Sequence, residues 1–507
     1  MVMALFQARE RALAERVSEL AFENPFGPRR VELEREILGA QYVAGPGVWT
    51  PGTDRESDAN SERIGQRAEA LLSALRRRPP ARLDRGERGL YRDLVFYASF
   101  HAHEAAFFAL VEQSERGEEL GFPDFPGFCA RLRRDLAAID EHPSDAEAAH
   151  YLACMFQIRR AFHHIFHRIV GVSAPVARLR VDVWRSVFTH DLRRYVTDLY
   201  PHVGQLPTLV TGPSGSGKEL VIRAIALSRY VGFEPRRARF TADFSAMLFP
   251  LSVPALPTTL VESELFGHRR GAFTGATQDR VGYLEQCPAT GTVFLDEIGD
   301  LEPIVQVKLL RLLQDGSYQR VGESRRRSFL GKIAAATHRD LAALLADGRF
   351  RDDLYYRLCA DRIETPSLAE RLRDEPNELA LLLELLARRW LGLDAGRRLA
   401  GETLDYLNRH LPADYAWPGN VRELEQCLRS VLLRRAYHPP RAEAASASVA
   451  LAAELEAGRL EAEELMVRYV RHVHALAGSQ VAAARRLGLD RRTVARYLRT
   501  ADRRPKP

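Results

Sequence analysis

The stretch TLVTGPSGSGKEL, residues 208–220, constrains this chain more than any other. A short β-rich run leads into Gly212, Gly215, Gly217 and Lys218 at the spacing of a phosphate-binding P-loop, and a helical pattern follows. Glycines let backbone N–H groups wrap phosphate oxygens. The helix N-terminus adds positive potential, and a lysine ammonium reaches the terminal phosphates as a compact point charge. Only four of the 73 basic residues are lysine, namely Lys218, Lys308, Lys332 and Lys506, so a lysine at 218 fits that demand. The usual Ser or Thr after the lysine is replaced by Glu219, so the metal ligand it would supply has to come from elsewhere.

A second motif lies downstream. In GTVFLDEIGDL an apolar strand ends on Asp296 and Glu297. An acidic pair after a buried strand can be simple capping, but beside a P-loop it has the grammar of a Walker B motif. Asp296 is then the metal residue, holding magnesium through its water, and Glu297 orients or deprotonates the attacking water in phosphoryl transfer.

Composition excludes several alternatives. The chain has 507 residues, 46% hydrophobic and 28% charged, which is globular composition with room for two or three domains. No apolar run approaches the ~18–20 residues of a spanning helix, and the first residues carry charges where a signal peptide would be apolar. The expectation is a cytoplasmic protein with no membrane contact. Five cysteines, far apart and never in C-x-x-C spacing, disfavour a disulfide framework and a structural zinc site. The net charge is +6, yet residues 478–507 alone hold nine Arg or Lys against two Asp. The basic module is therefore local, at the C-terminal end, and suits a polyanion.

Up to about residue 170 apolar residues recur at three- and four-residue spacing, which predicts a mainly helical region. From Pro207 short β-rich runs alternate with helical segments, the pattern of an α/β unit with a parallel sheet. A helical stretch follows Pro366, and an Ala- and Glu-rich linker follows Arg435. The stretch VAAARRLGLDRRTVARYLRT reads as helix, Gly488 turn and second helix capped by Asp490.

Between the two phosphate motifs lies ESELFGHRRGAFTGATQDRVGYLEQC. Its hexapeptide Gly271, Ala272, Phe273, Thr274, Gly275, Ala276 resembles the signature of sigma-54-dependent transcriptional activators, the bacterial enhancer-binding proteins of the AAA+ ATPase superfamily. The similarity covers about residues 171–434 and 463–500. It implies an α/β AAA+ P-loop core over 171–365 with a helical lid over 366–435, preceded by the mainly helical, sensory region 1–170. A linker over 436–462 would then lead to a Fis-type helix-turn-helix domain over 463–507. It also implies ATP as the nucleotide with Mg2+, and a hexamer built from dimers. The partners would be the sigma-54 RNA polymerase holoenzyme, met through an exposed Phe273 and Thr274, and double-stranded DNA at an enhancer-like upstream site.

The resemblance extends residue by residue. RFRDDLYYRL places Arg351 and Arg357 where the family carries arginines that reach a neighbouring subunit's nucleotide. Six residues apart on a helix is about 240° of rotation, so the two would do separate jobs. KIAAATHRDL is similar to the sensor I motif, with Thr337 and His338 where the family has Thr-Asn, and WPGNVRELEQ to sensor II, with Asn420 as N-cap and Arg422 aimed at the nucleotide. Arg491, Arg492, Thr493, Arg496 and Arg499 would face DNA. Two departures touch regulation: Ser252 stands where the family has the Asn that restrains the Walker B glutamate, and TADFSAMLFP looks like an insertion of about ten residues. An AAA+ loader or motor, or a helix-turn-helix repressor with a decayed ATPase, would share parts of this pattern.

Histidines concentrate before residue 170: His101, His103, His150, His163, His164 and His167. His163 and His167 lie one helical turn apart, and Glu147 with His150 makes an E-x-x-H step of the kind that binds iron in helical bundles. Most such histidines are surface or satisfied core residues. No receiver domain is expected, because no strand ending in paired aspartates opens the chain.

Overall fold

The computed structural model describes residues 5–44, 59–78, 83–412, 414–439 and 461–500. Its apolar runs after Pro207 form strands β1 (Thr208–Thr211), β2 (Leu248–Ser252), β3 (Thr292–Asp296), β4 (Lys332–Thr337) and β5 (Asp361–Glu364). They make one five-stranded sheet in the order β2-β3-β4-β1-β5, with every neighbouring pair parallel. All six residues of β4 are buried, because helices cover both faces and an unbroken apolar run is what such a strand requires. Register aligns Ser252 with Asp296, Asp296 with Ala336, and Thr211 with both Thr337 and Glu364. The loops after β1, β3, β4 and β5 therefore gather at the carboxyl edge, where open α/β sheets bind ligands.

The N-terminal periodicity becomes helices Ala8–Phe22, Pro28–Leu38, Ala59–Arg76, Arg85–Ala102, Glu104–Glu115, Phe125–Leu136 and Asp145–Arg168. The last begins with a capping box, Ser144 and Glu147 satisfying each other's backbone N–H groups. The boundary expected at residue 170 falls inside one hydrophobic core. Phe156, Ala161 and Val183 belong to the same buried cluster as Val210, Ile222, Ile225 and Phe294 of the α/β layer. Helix Asp145–Arg168 lies along helix Lys218–Leu227, and Gln157 Nε2 donates to the Ser228 carbonyl at 3.0 Å.

The segment expected as an insertion is part of that join. Phe244 is buried under the Arg160 guanidinium at 4.3 Å and against the Phe156 ring at 5.8 Å. Its last three residues, 248–250, belong to β2 itself. Phe122 N donates to the Ala238 carbonyl and Phe240 N to that of Leu120, so the excursion between helix Lys218–Leu227 and β2 is stitched to the N-terminal helices.

Residues 1–386 with 419–424 make one compact unit, and 387–418 with 425–507 a second. The expected lid, 366–435, thus divides between them, with helix Leu368–Asp374 in the first and helix Leu393–His410 in the second. Most of the expected linker, 440–460, lies outside the described residues. In the second unit helices Ala462–Ala477, Gln480–Leu487 and Arg491–Thr500 close on Val470, Val473, Ala483, Ala484 and Val494. Among the described residues no single helix is long and apolar enough to cross a membrane; a bent pair, Arg85–Ala102 with Glu104–Glu115, passes on length and composition, and it contributes to the buried core.

Candidate nucleotide, partner and DNA sites

The loop after β1 is shaped by close backbone approach. A Cβ on Gly212 would lie 2.2 Å from Thr365 Oγ1, and one on Gly215 would lie 2.3 Å from the Gly419 carbonyl. Gly217 caps helix Lys218–Leu227 in the left-handed region at φ 97°. Lys218, 7% exposed, turns its ammonium back over the loop and donates to the carbonyls of Gly212 and Pro213, both at 3.0 Å. Burial lowers its proton affinity, while Glu297 and Asp296 pull it back up. Glu219 points elsewhere. Standing at the P-loop position after the lysine, it pairs with Arg223 at 3.2 Å, one turn on, with a largely exposed side chain. The first turn of a helix accepts an acid without any ligand.

Asp296 ends β3 with its carboxyl pushed up, first by burial and then by the charge of Glu297 beside it. Glu297 sits at φ 58°, in a region a non-glycine residue occupies at a cost of about 1–3 kcal/mol. Three contacts hold it there. The His338 ring Nδ1 lies 2.7 Å from Oε1, while His338 N donates to Oε2 at 3.1 Å and Thr337 Oγ1 to Oε2 at 3.3 Å. Burial raises the Glu297 carboxyl, but these bonds outweigh it and leave it below its ordinary range. Thr337 and His338 therefore both touch Glu297 directly, and His338 does so through its ring as well as its backbone.

Arg422 reaches the P-loop, Nη1 donating to Ser214 Oγ at 3.2 Å. Asn420 corrects an expectation. It opens helix Asn420–Arg434 at φ 53°, and its side chain spans two other segments instead of capping its own helix. Nδ2 donates to the Ser214 carbonyl at 2.9 Å, and Oδ1 accepts from Leu368 N at 2.7 Å. Sequence reasoning also missed Thr365, whose hydroxyl bonds Ser216 Oγ at 2.6 Å and the Thr211 carbonyl at 3.2 Å. Nothing in the sequence marks a lone Thr after β5. Gln306 left a fainter signal, a polar residue on an apolar helix face. It is buried, donates to the carbonyls of Leu301 and Arg349, and accepts from Arg351 N at 3.0 Å.

Arg351 and Arg357 stand apart from these groups. Both are exposed, and Arg351 pairs with Asp353 at 2.7 Å. Among the described residues neither contacts the P-loop or Glu297.

The hexapeptide loop is closed by Gly271 N donating to the Ala276 carbonyl at 2.8 Å, with Gly271 and Gly275 at φ 80° and 100°. Thr274 is exposed as expected. Phe273 is not: it is half-buried, its ring edge-on to the buried His268 at 4.9 Å. Aromatic–aromatic contact recovers area that an exposed ring would leave in water.

In the C-terminal module Asp490 caps helix Arg491–Thr500 as expected, accepting from Arg492 N at 2.7 Å and Thr493 N at 2.9 Å. The Thr493 hydroxyl is also held by Asp490, at 2.6 Å. Arg491, Arg492 and Arg496 are exposed around a shallow concavity. The side chain of Arg499 lies outside the described residues.

Glu147 and His150, the E-x-x-H step, are both engaged in other contacts. Glu147 is spent on the Ser144 capping box, and His150 bonds Tyr230 and the Val196 carbonyl. Ligand atoms of Glu115, His163 and His164 do lie within 4.8 Å of one another. Arg159, Arg160 and Arg168 surround them, and their positive field opposes a further cation.

Comparison with known proteins finds relatives of this part of the chain. Residues 189–364 match the family described as Sigma-54 interaction domain. The transcriptional regulatory protein ZraR of Escherichia coli O157:H7 is 40% identical over 292 residues, 56% of this chain and 61% of that protein. The Nif-specific regulatory protein of Azotobacter vinelandii is 45% identical over 226 residues, 44% of this chain and 39% of that one. The DNA-binding transcriptional regulator NtrC of Azospirillum brasilense is 37% identical over 292 residues, 56% of each. The chain thus spans about 40–60% of the length of these relatives. Residues 189–364 are similar to the Sigma-54 interaction domain, and the relatives that share the similarity are regulatory proteins.

Proposed function

We propose that this protein is a sigma-54-dependent transcriptional regulator that binds upstream DNA and hydrolyses ATP to remodel the closed complex of sigma-54 RNA polymerase into an open one. The observation that carries the reading is the coexistence, in one matched domain, of the P-loop, the Asp296–Glu297 pair and the loop 271–276. The P-loop N–H groups and Lys218 would cradle the phosphates, with Arg422 approaching from the segment after Trp417. Asp296, whose carboxyl burial and Glu297 push up, suits a divalent cation, because a cation relieves that strain. Magnesium bound there would supply charge neutralisation on the phosphates. Glu297, fixed at both oxygens, would align the attacking water and take its proton. Exposed Arg351 and Arg357, without contact to their own chain's P-loop, suit service to a neighbouring subunit, and so a ring, which we take to be a hexamer built from dimers. The module 463–507 would read DNA, with Arg491, Arg492 and Arg496 on the presented helix and Thr493 fixing its start.

Open-complex formation with sigma-54 polymerase, measured on a promoter bound by this protein, tests the reading. Wild type should open the promoter in an ATP-dependent way. Lys218→Ala should bind no ATP and open nothing, and Glu297→Gln should bind ATP without turnover. Equal nucleotide affinity in wild type and Lys218→Ala would overturn it.

A further inference from the structure

On the side of the sheet opposite the P-loop, at the amino ends of β1 and β4, the N-terminal helices and the α/β layer enclose a cavity of about 310 Å3. That is the lower end of the size range of small-molecule sites. Its wall is apolar and aromatic over most of its extent, with Tyr200 and Tyr230 rings 4.6 Å apart beside Ile225 and Val187. Two cations break that surface. Lys332, 2% exposed, opens β4 and donates to the Leu206 carbonyl at 2.5 Å. Arg229 comes from the segment just after helix Lys218–Leu227. It donates to the carbonyls of Gly291 and Ala289, and its buried Nε has no hydrogen-bond partner among the described residues.

Among the described residues no carboxylate lines the cavity. Asp361, whose charge acts on Lys332 from outside the lining, accepts from the hydroxyls of Ser186 and Thr208. Burial lowers Lys332 to about 8 and Arg229 to about 10, so both ions are held where their charge is poorly solvated. Two cations on an aromatic-walled cavity that has no lining carboxylate suit an anion of matching size.

We propose that this cavity is a binding site for a small organic anion, a carboxylate on a compact aromatic or apolar body, with the carboxylate met by Lys332 and Arg229 and the body packed against the paired rings of Tyr200 and Tyr230. The occupant would touch the residues just after helix Lys218–Leu227, whose first residue is the P-loop lysine. It would also touch the first residue of β4, whose last residue is Thr337. The site joins the N-terminal helices to both phosphate-facing elements without itself lying at the phosphate edge.

Calorimetric titration of the full chain tests it, with the P-loop first saturated with ADP so that only other sites can answer. The probes are sodium benzoate and its uncharged isostere benzamide. Benzoate should bind with a dissociation constant of about 1 mM or tighter, and benzamide about tenfold more weakly. Lys332→Met should reduce benzoate affinity at least tenfold. Should that variant fail to fold, Gln205→Glu decides: it sets a carboxylate at the exposed rim without removing any buried group. It should cut benzoate affinity severalfold at an unchanged melting temperature. No benzoate binding at ~10 mM, equal affinity for benzamide, or full benzoate affinity in a folded Gln205→Glu would each overturn the proposal.

Discussion

The contact between His338 and Glu297 is the residue-scale feature with the sharpest consequence. Ser252, at the end of β2 where a restraining Asn would stand, makes no recorded side-chain hydrogen bond among the described residues, whereas the His338 ring lies 2.7 Å from the Glu297 carboxylate. Orientation of a catalytic carboxylate contributes through the alignment it imposes, and losing one of two anchored oxygens typically costs an order of magnitude or more. His338→Ala is therefore expected to keep ATP affinity within a few-fold of wild type and to reduce turnover about tenfold, with His338→Asn closer to wild type. Steady-state turnover alongside nucleotide binding on the same preparations checks it. Unchanged turnover in His338→Ala would show that the Thr337 hydroxyl and the His338 backbone suffice.

Two elements yield predictions of their own. In the loop 271–276, Phe273 rests edge-on against His268 but stays partly exposed. Completing the burial of an aromatic ring against a partner contributes of the order of 1–2 kcal/mol, a modest part of a binding free energy but decisive for a weak encounter. Phe273→Ala should keep ATP turnover and DNA binding within a few-fold while sigma-54 capture and promoter opening are lost. If stability and turnover fall together instead, the ring serves the fold through His268. Helix Asp145–Arg168 carries a pH dependence. His164 is buried with neither ring nitrogen hydrogen-bonded among the described residues, and burial, with Arg160 and Arg168 nearby, holds it well below the usual imidazole range. His163 is lowered by burial, opposed by Glu115 from the facing helix, and His167 falls to about 4. These rings stay neutral in the fold while the unfolded chain takes up protons below about pH 6.5, so stability present above that value drains away as the pH falls toward 4. Urea midpoints should drop between about pH 7 and 5, and His164→Leu should flatten the slope. Identical slopes would place the sensitivity elsewhere.

For the whole molecule, the shared core changes what a truncation does. Removing residues 1–170 would strip helix Asp145–Arg168 from helix Lys218–Leu227, whose Ile222 and Ile225, both at most 2% exposed, share its core. Each such side chain contributes about 1.5–3 kcal/mol on burial, so the remainder should unfold or aggregate instead of becoming a freed ATPase. A soluble, cooperatively melting fragment 171–507 with full turnover would contradict this. Removing 463–507 should be benign to the ATPase, since its three helices close on their own core, and should abolish operator binding measured at ~150 mM salt.

Local chemistry and local spacing were enough for much of this protein. The P-loop, the acidic pair after β3 and the Asp490 cap are each set by residues within a few positions of one another, because backbone wrapping, strand termination and helix capping are short-range. The flexible tip of the loop follows from its flanking glycines in the same way. What spans the chain was not legible. Glu297 meets His338 across two adjacent strands, Asn420 ties Ser214 to Leu368, and Thr365 braces Ser216; each partner choice depends on sheet order and register, which no single segment encodes. Phe273 folded onto His268 and Glu219 turned to Arg223 because an aromatic ring and a carboxylate settle on whatever the tertiary structure brings near. The same holds for the N-terminal helices. Their periodicity told that they were amphipathic, and only packing decided that the apolar face they shared was that of the nucleotide-binding layer, so that a region readable as separate became part of one core.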